Sequence, residues 1–217
     1  MTVLRQTTWR IPILLVLLGV MPIAASIYRT VVLATTDLAA VTDADELRFF
    51  DMPVPILMHV IFGSLFLVLG ALQMSPGLRR KHRILHRRIG WSAAVSAIIF
   101  SLYGVWMVFL YPSHSAASFM IDIGRVVFGI AIPTFVVLGV LAAIRKNIPV
   151  HRAWMIRGYS LAAASGIQSY LIAVATGLMG RFDPQIADAM MILGWMIGII
   201  AAEKIIAGPR TKKTAAT

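Results

Sequence analysis

The chain has 217 residues, of which 59% are hydrophobic and only 13% are charged. A soluble domain averages roughly 45–50% apolar and about 25% charged, and a globule of this size keeps much of its surface in water, so composition excludes an ordinary soluble fold and leaves lipid as the solvent. The formal net charge of +11 sits in short blocks between apolar runs, which reads as membrane topology and not as nucleic-acid binding, and the absence of cysteine excludes disulfides, thiolate metal sites and cysteine nucleophiles.

A hydrocarbon core about 30 Å thick takes roughly 20 apolar residues of helix. The first such run covers about 11–35, preceded by Arg5 and Arg10; Ala24, Ala25 and Ser26 would suit a signal peptidase, whose cut would leave the later helices in the same orientation. The segment 36–53 is acidic, with Asp37, Asp43, Asp45, Glu46 and Asp51, but without the ordered spacing of a calcium loop. A second run, 54–74, carries His59, Gly63 and Gly70. The segment 75–88 contains RRKHRILHRR and leads to a third run, 89–111. A short polar segment with His114 separates it from the fourth run, 121–144, which opens with Asp122 and Arg125. The sequence RKNIPVHR then precedes a fifth run, 153–179, with Arg157 near its start and Gln168, Ser169 and Tyr170 further on. After a turn at 180–185, the sixth run, 186–207, contains Gly194 and Gly198 in GxxxG spacing; a basic tail occupies 209–217.

These runs are apolar on every face and too long for barrel strands, and backbone groups in lipid must pair within their own segment. The expected fold is therefore all-α: one polytopic bundle of six transmembrane helices over 1–208. All 20 Lys and Arg except Arg29, Arg48, Arg125 and Arg181 fall on one side, which predicts that both termini are cytoplasmic in the cell inner (plasma) membrane. The basic loops are expected to meet anionic lipid.

Ionisable groups inside a bilayer are costly and usually face protein, water or a ligand. His59, inside the second helix, suits a haem ligand or a proton relay; a neutral imidazole bonded to a neighbouring helix is the plainer reading. His82 and His86 share a face if the third helix begins early. His86 and His151 fall at matched depth at one rim, on helices that run the same way, as two axial ligands of haem b would. Interfacial histidines among lipid-binding arginines are the alternative. Arg157 can snorkel to the interface or bind a carboxylate such as a haem propionate. His114 reads as a loop residue, and Asp122 with Arg125 as an intrahelical pair. Gly194 and Gly198 allow close helix approach and offer a homodimer face. No Walker loop, GxGxxG or GxSxG is present, so nucleotide and serine hydrolysis are not expected and enzymatic activity stays open.

Three stretches, HVIFGSLFLVLGALQ (59–73), LRRKHRILHRRIGW (78–91) and HRAWMIRGYSLA (151–162), together resemble the bacterial predicted membrane proteins grouped as "domain of unknown function 2306". In that pattern a histidine opens one helix, here His59. An arginine-rich loop then leads to His-Arg-x-x-Gly, here His86, Arg87 and Gly90. His-Arg-x-Trp-Met-x-Arg follows, here His151, Arg152, Trp154, Met155 and Arg157. The resemblance covers about 54–175 and implies a multi-pass membrane protein without implying an activity. The histidine layout leads to a haem b-binding electron-transfer protein as the expected function, with His86 and His151 on the iron, Arg157 on a propionate, and His59 at an outer haem or quinone site. The alternatives are a small-molecule or lipid transporter, with His59 and the outer polar residues lining a path, and a non-catalytic assembly subunit.

Overall fold

The computed structural model describes residues 9–111 and 119–208. The described residues form eight α-helices and one 3₁₀ turn, with no strand among them. Six helices are long and apolar enough to cross a membrane: α1 (Arg10–Thr35), α3 (Pro53–Gln73), α5 (Arg83–Leu110), α6 (Phe119–Ile144), α7 (Ile148–Met179) and α8 (Pro184–Ala207). Two short helices sit in the connections, α2 (Ala44–Asp51) and α4 (Pro76–Lys81). The protein is an integral membrane protein, and its outward faces fit that solvent. Leu14, Ile27, Phe109, Ile130, Val174 and Leu178 all point away from the bundle, a display that soluble monomers avoid.

Two spans begin earlier than the apolar runs predict. α5 takes in Arg83–Arg88, and α7 takes in Ile148–Arg152. Arginine is a good helix former and its stem lies along apolar surface, so basic residues extend a span without breaking it. For α7 the start is fixed by Asn147, whose side chain accepts from the Val150 amide, with Pro149 in the first turn. His82 stays outside α5, at φ −129° and ψ 60°, and so does not share a helical face with His86. α7 ends at Gly180, whose φ of 66° is the left-handed stop that favours glycine.

The bundle packs in the order α1·α3, α3·α5, α5·α6, α6·α7 and α7·α8, with α1 also lying on α7. The core joins Phe66, Phe100, Val136, Tyr159, Leu161 and Trp195. α1 is a packed member of the bundle: a Cβ at Gly166 of α7 would stand 2.2 Å from the Leu18 carbonyl oxygen. Gly194 and Gly198 are buried within the chain. Their missing side chains admit Gln168 and the Ser160 backbone of α7, so the GxxxG approach takes place between α8 and α7 of one protomer.

The two ends of the bundle differ in charge. Every one of the 9 acids except Glu203 lies toward the end bearing α2, and all the histidines of the basic segments lie toward the end bearing α4. These are called the acidic and the basic end below.

Candidate functional site

His59 is the seventh residue of α3, so it enters about 9 Å along the helix from the acidic end. Its Nδ1 lies 2.8 Å from the carbonyl oxygen of Phe100 on α5. That contact depends on Gly104, one turn further along α5, because a Cβ there would stand 2.8 Å from the same nitrogen. The Phe100 ring meets the imidazole edge-on at 5.8 Å and stacks on Phe66 at 5.5 Å, which ties the histidine to the core. A carbonyl can only accept, so Nδ1 carries the proton in the neutral ring and Nε2 is left as a lone pair. Among the described residues Nε2 has no hydrogen-bond partner.

The imidazole lines a cavity of about 630 Å³ in the acidic half of the bundle, walled by α1, α3, α5, α6, α7 and α8. Its walls combine apolar and aromatic surface (Phe100, Phe128, Trp195) with polar groups. Two of these, Ser64 Oγ and Ser101 Oγ, are shielded from solvent and have no hydrogen-bond partner among the described residues. Gln168 is fixed by donating from Nε2 to the Met191 carbonyl at 2.8 Å. Asp122 and Arg125 pair at 2.8 Å on α6 and also line the cavity.

α2 covers the acidic end of this space. Arg48 and Phe49 reach into the lining, and the guanidinium groups of Arg29 and Arg48 stand 4.7 and 4.8 Å from the Phe49 ring. Arg29 of α1 forms a two-pronged ion pair with Glu46, and Tyr111 packs its ring on Phe49 at 5.0 Å while its hydroxyl donates to the Met52 carbonyl. A helix too short to stand alone in water is held here by side chains from α1 and α5.

The basic end is organised differently. His86 and His151 are each the fourth residue of their helices. They are near enough for the charge of His151 to be felt at His86. His151 donates from Nδ1 to the Gly139 carbonyl at 2.9 Å. The Nδ1 of His86 is buried with no partner among the described residues. Iron-binding histidines almost always donate their second nitrogen to a fixed acceptor; His59 and His151 meet that condition and His86 does not. Among the described residues no three His, Asp or Glu side chains gather to hold a metal ion.

Arg157 is engaged elsewhere. It forms two hydrogen bonds to Glu203 of α8, at 2.6 and 3.0 Å, and lies 4.9 Å from the Trp154 ring. Its expected carboxylate partner is thus met by the chain's own acid. Glu203 escapes a sequence reading, although it is the one acid at an otherwise basic end. Ser64, Ser101 and Gly104 also escape it, since serine and glycine are common in packed membrane helices. His114 lies outside the described residues.

No curated protein and no solved structure matches the chain. A family model described as "Predicted membrane protein (DUF2306)" matches residues 56–206, a stretch that runs from just before His59 to the end of α8 and includes His86, His151 and Arg157. The chain belongs to the DUF2306 family of membrane proteins.

Proposed function

We propose that this protein binds a small amphipathic molecule within the membrane, in the acidic-end cavity, and that the Nε2 lone pair of His59 selects it. The observation that carries this reading is the fixed tautomer: Nδ1 is committed to the Phe100 carbonyl, and the ring lines a cavity of about 630 Å³. That size falls in the usual range for ligand pockets, about 300–1,000 Å³. A lone pair in a mostly apolar pocket takes a hydrogen-bond donor or a metal centre. The unpartnered hydroxyls of Ser64 and Ser101 favour the former, because a hydroxyl-bearing head, as in a quinol, can both donate to His59 and exchange hydrogen bonds with serine. Electron transfer and transport are both uses to which such a site can be put.

Trp195 lines the cavity and supplies a reporter. Titration of the detergent-solubilised protein with a short-chain quinol should quench its fluorescence saturably, and His59→Ala should weaken that binding at least ten-fold. Quenching that is linear, or equal in the variant, would refute this reading.

Haem b is the second reading, favoured by the second-nitrogen bonds of His59 and His151. Expression with added haem, followed by absorbance spectra with and without dithionite, tests it directly. A Soret band lost in His59→Ala would locate haem in the cavity. A band lost only in His86→Ala or His151→Ala would locate it at the rim, and the absence of any band would remove haem. The basic end is assigned to the cytoplasm, in a cell membrane, on the asymmetry of its arginines.

A further inference from the structure

We propose that the basic end holds a site for a phosphate group where the C-terminal end of α3, the short helix α4 and the first turns of α5 and α7 meet. This site is separate from the cavity and does not depend on the reading of His59.

Arg79 of α4 feels the charges of Arg152 on α7 and of its neighbour Arg80, while His86 of α5 feels Arg79 and His151. Basic groups from three helices are thus gathered within electrostatic reach of one another. Among the described residues no carboxylate answers them, since Glu203 is held by Arg157. Arg152 makes only a long contact, 3.5 Å, to the Ile205 carbonyl. Partial burial, and then the positive charges of Arg152 and Arg80, hold the Arg79 guanidinium below its ordinary value. Arg79 and Arg152 are exposed, and an anion between them would relieve their mutual repulsion.

Two buried side-chain atoms point to the same chemistry. His86 Nδ1 and Gln73 Nε2 are both shielded and both without a partner among the described residues. Gln73 is the last residue of α3, and its amide lies over Gly90, one turn beyond His86 on α5. An amide nitrogen and a guanidinium can only donate, and an imidazole N–H donates as well. An acceptor with negative charge satisfies the amide and the guanidinium groups directly, and the imidazole as well when its proton sits on Nδ1. A carboxylate offers two oxygens in one plane; a phosphate offers tetrahedrally disposed oxygens, which suit donors arriving from several helices. An anionic phospholipid headgroup and a soluble phosphate share this chemistry.

The test uses the full chain in a maltoside detergent free of phosphate, with thermal unfolding as the readout. Four additions are compared: phosphatidylglycerol, inorganic phosphate, a neutral galactolipid with acyl chains but no phosphate, and chloride at matched ionic strength. Stabilisation by phosphatidylglycerol beyond the galactolipid identifies a lipid headgroup. Stabilisation by inorganic phosphate beyond chloride identifies a soluble ligand; either supports the site. Arg79→Gln and Arg152→Gln should each weaken the apparent affinity about ten-fold, while Arg145→Gln, outside the cluster, should leave it unchanged. Absence of both excesses in the wild-type protein would overturn the proposal whether or not the variants fold, as would equal affinity in folded Arg79→Gln and wild type.

Discussion

The two ends of this bundle use the same residue type in opposite ways. At the acidic end His59 has a fixed donor bond to Phe100 and a lone pair on a ring that borders empty space. At the basic end His86 has a buried nitrogen with no partner among the described residues, amid arginines, beside a His151 whose own Nδ1 is fixed by Gly139. On the two proposals above, the first arrangement would take a neutral donor or a metal, and the second an anion. What distinguishes them is which backbone carbonyl the imidazole reaches, and a glycine permits that contact at His59.

The largest effect is expected at that glycine. Gly104→Ala places a methyl group where the imidazole sits, 2.8 Å from Nδ1, and should cost about 1–3 kcal/mol of stability as an overpacked core does. It should also abolish saturable quinol quenching. Thermal unfolding and Trp195 fluorescence read both, and full binding in a stable Gly104→Ala variant would show that the Phe100 bond does not set the tautomer.

Next comes the contrast between the histidines. His59→Ala should weaken cavity binding at least ten-fold, or about 1.4 kcal/mol, and His86→Ala should leave it unaltered. Equal losses in parallel titrations would mean that the two ends form one coupled site.

A smaller effect, of reversed sign, is expected from the serines. Removing a buried hydroxyl that has no partner should leave the ligand-free protein unchanged or stabilise it by up to about 1 kcal/mol. Ser64→Ala and Ser101→Ala should nonetheless weaken quinol binding. Destabilisation in unfolding scans of the ligand-free variants would instead show that these hydroxyls already have partners.

The smallest concerns Arg157, which the sequence offered to a ligand. Arg157 and Glu203 are joined by two hydrogen bonds, but the side chains are 29% and 51% exposed, so Glu203→Gln should cost less than about 1 kcal/mol. A loss of haem or quinol binding in that variant would return Arg157 to the functional site.

Much of this architecture was legible from residue order. The six spans follow from apolar length, and the matched positions of His86 and His151 follow from counting along their helices. The early starts of α5 and α7 were not legible from hydropathy, because a window that looks for apolar residues stops at arginine while the helix does not. α2 and α4 were missed for a related reason: each is too short and too polar to register as a span, and each is held by contacts from elsewhere, as Arg29 and Tyr111 hold α2. GxxxG in α8 correctly signalled a close approach, and only the fold shows that α7 of the same chain makes it.

By itself the sequence determined that the chain must live in lipid, that it crosses as helices, and that its positive charge is gathered at one end. Those properties depend on hydrophobic length and charge order, which are local and additive. The tertiary structure alone decided which nitrogen of His59 bonds to Phe100, that Ser64 and Ser101 lack partners among the described residues, and that Arg157 is held by Glu203. Each of these is a contact between residues far apart in the chain, set by angstrom-scale packing of one helix on another, and no periodicity within a single helix encodes it.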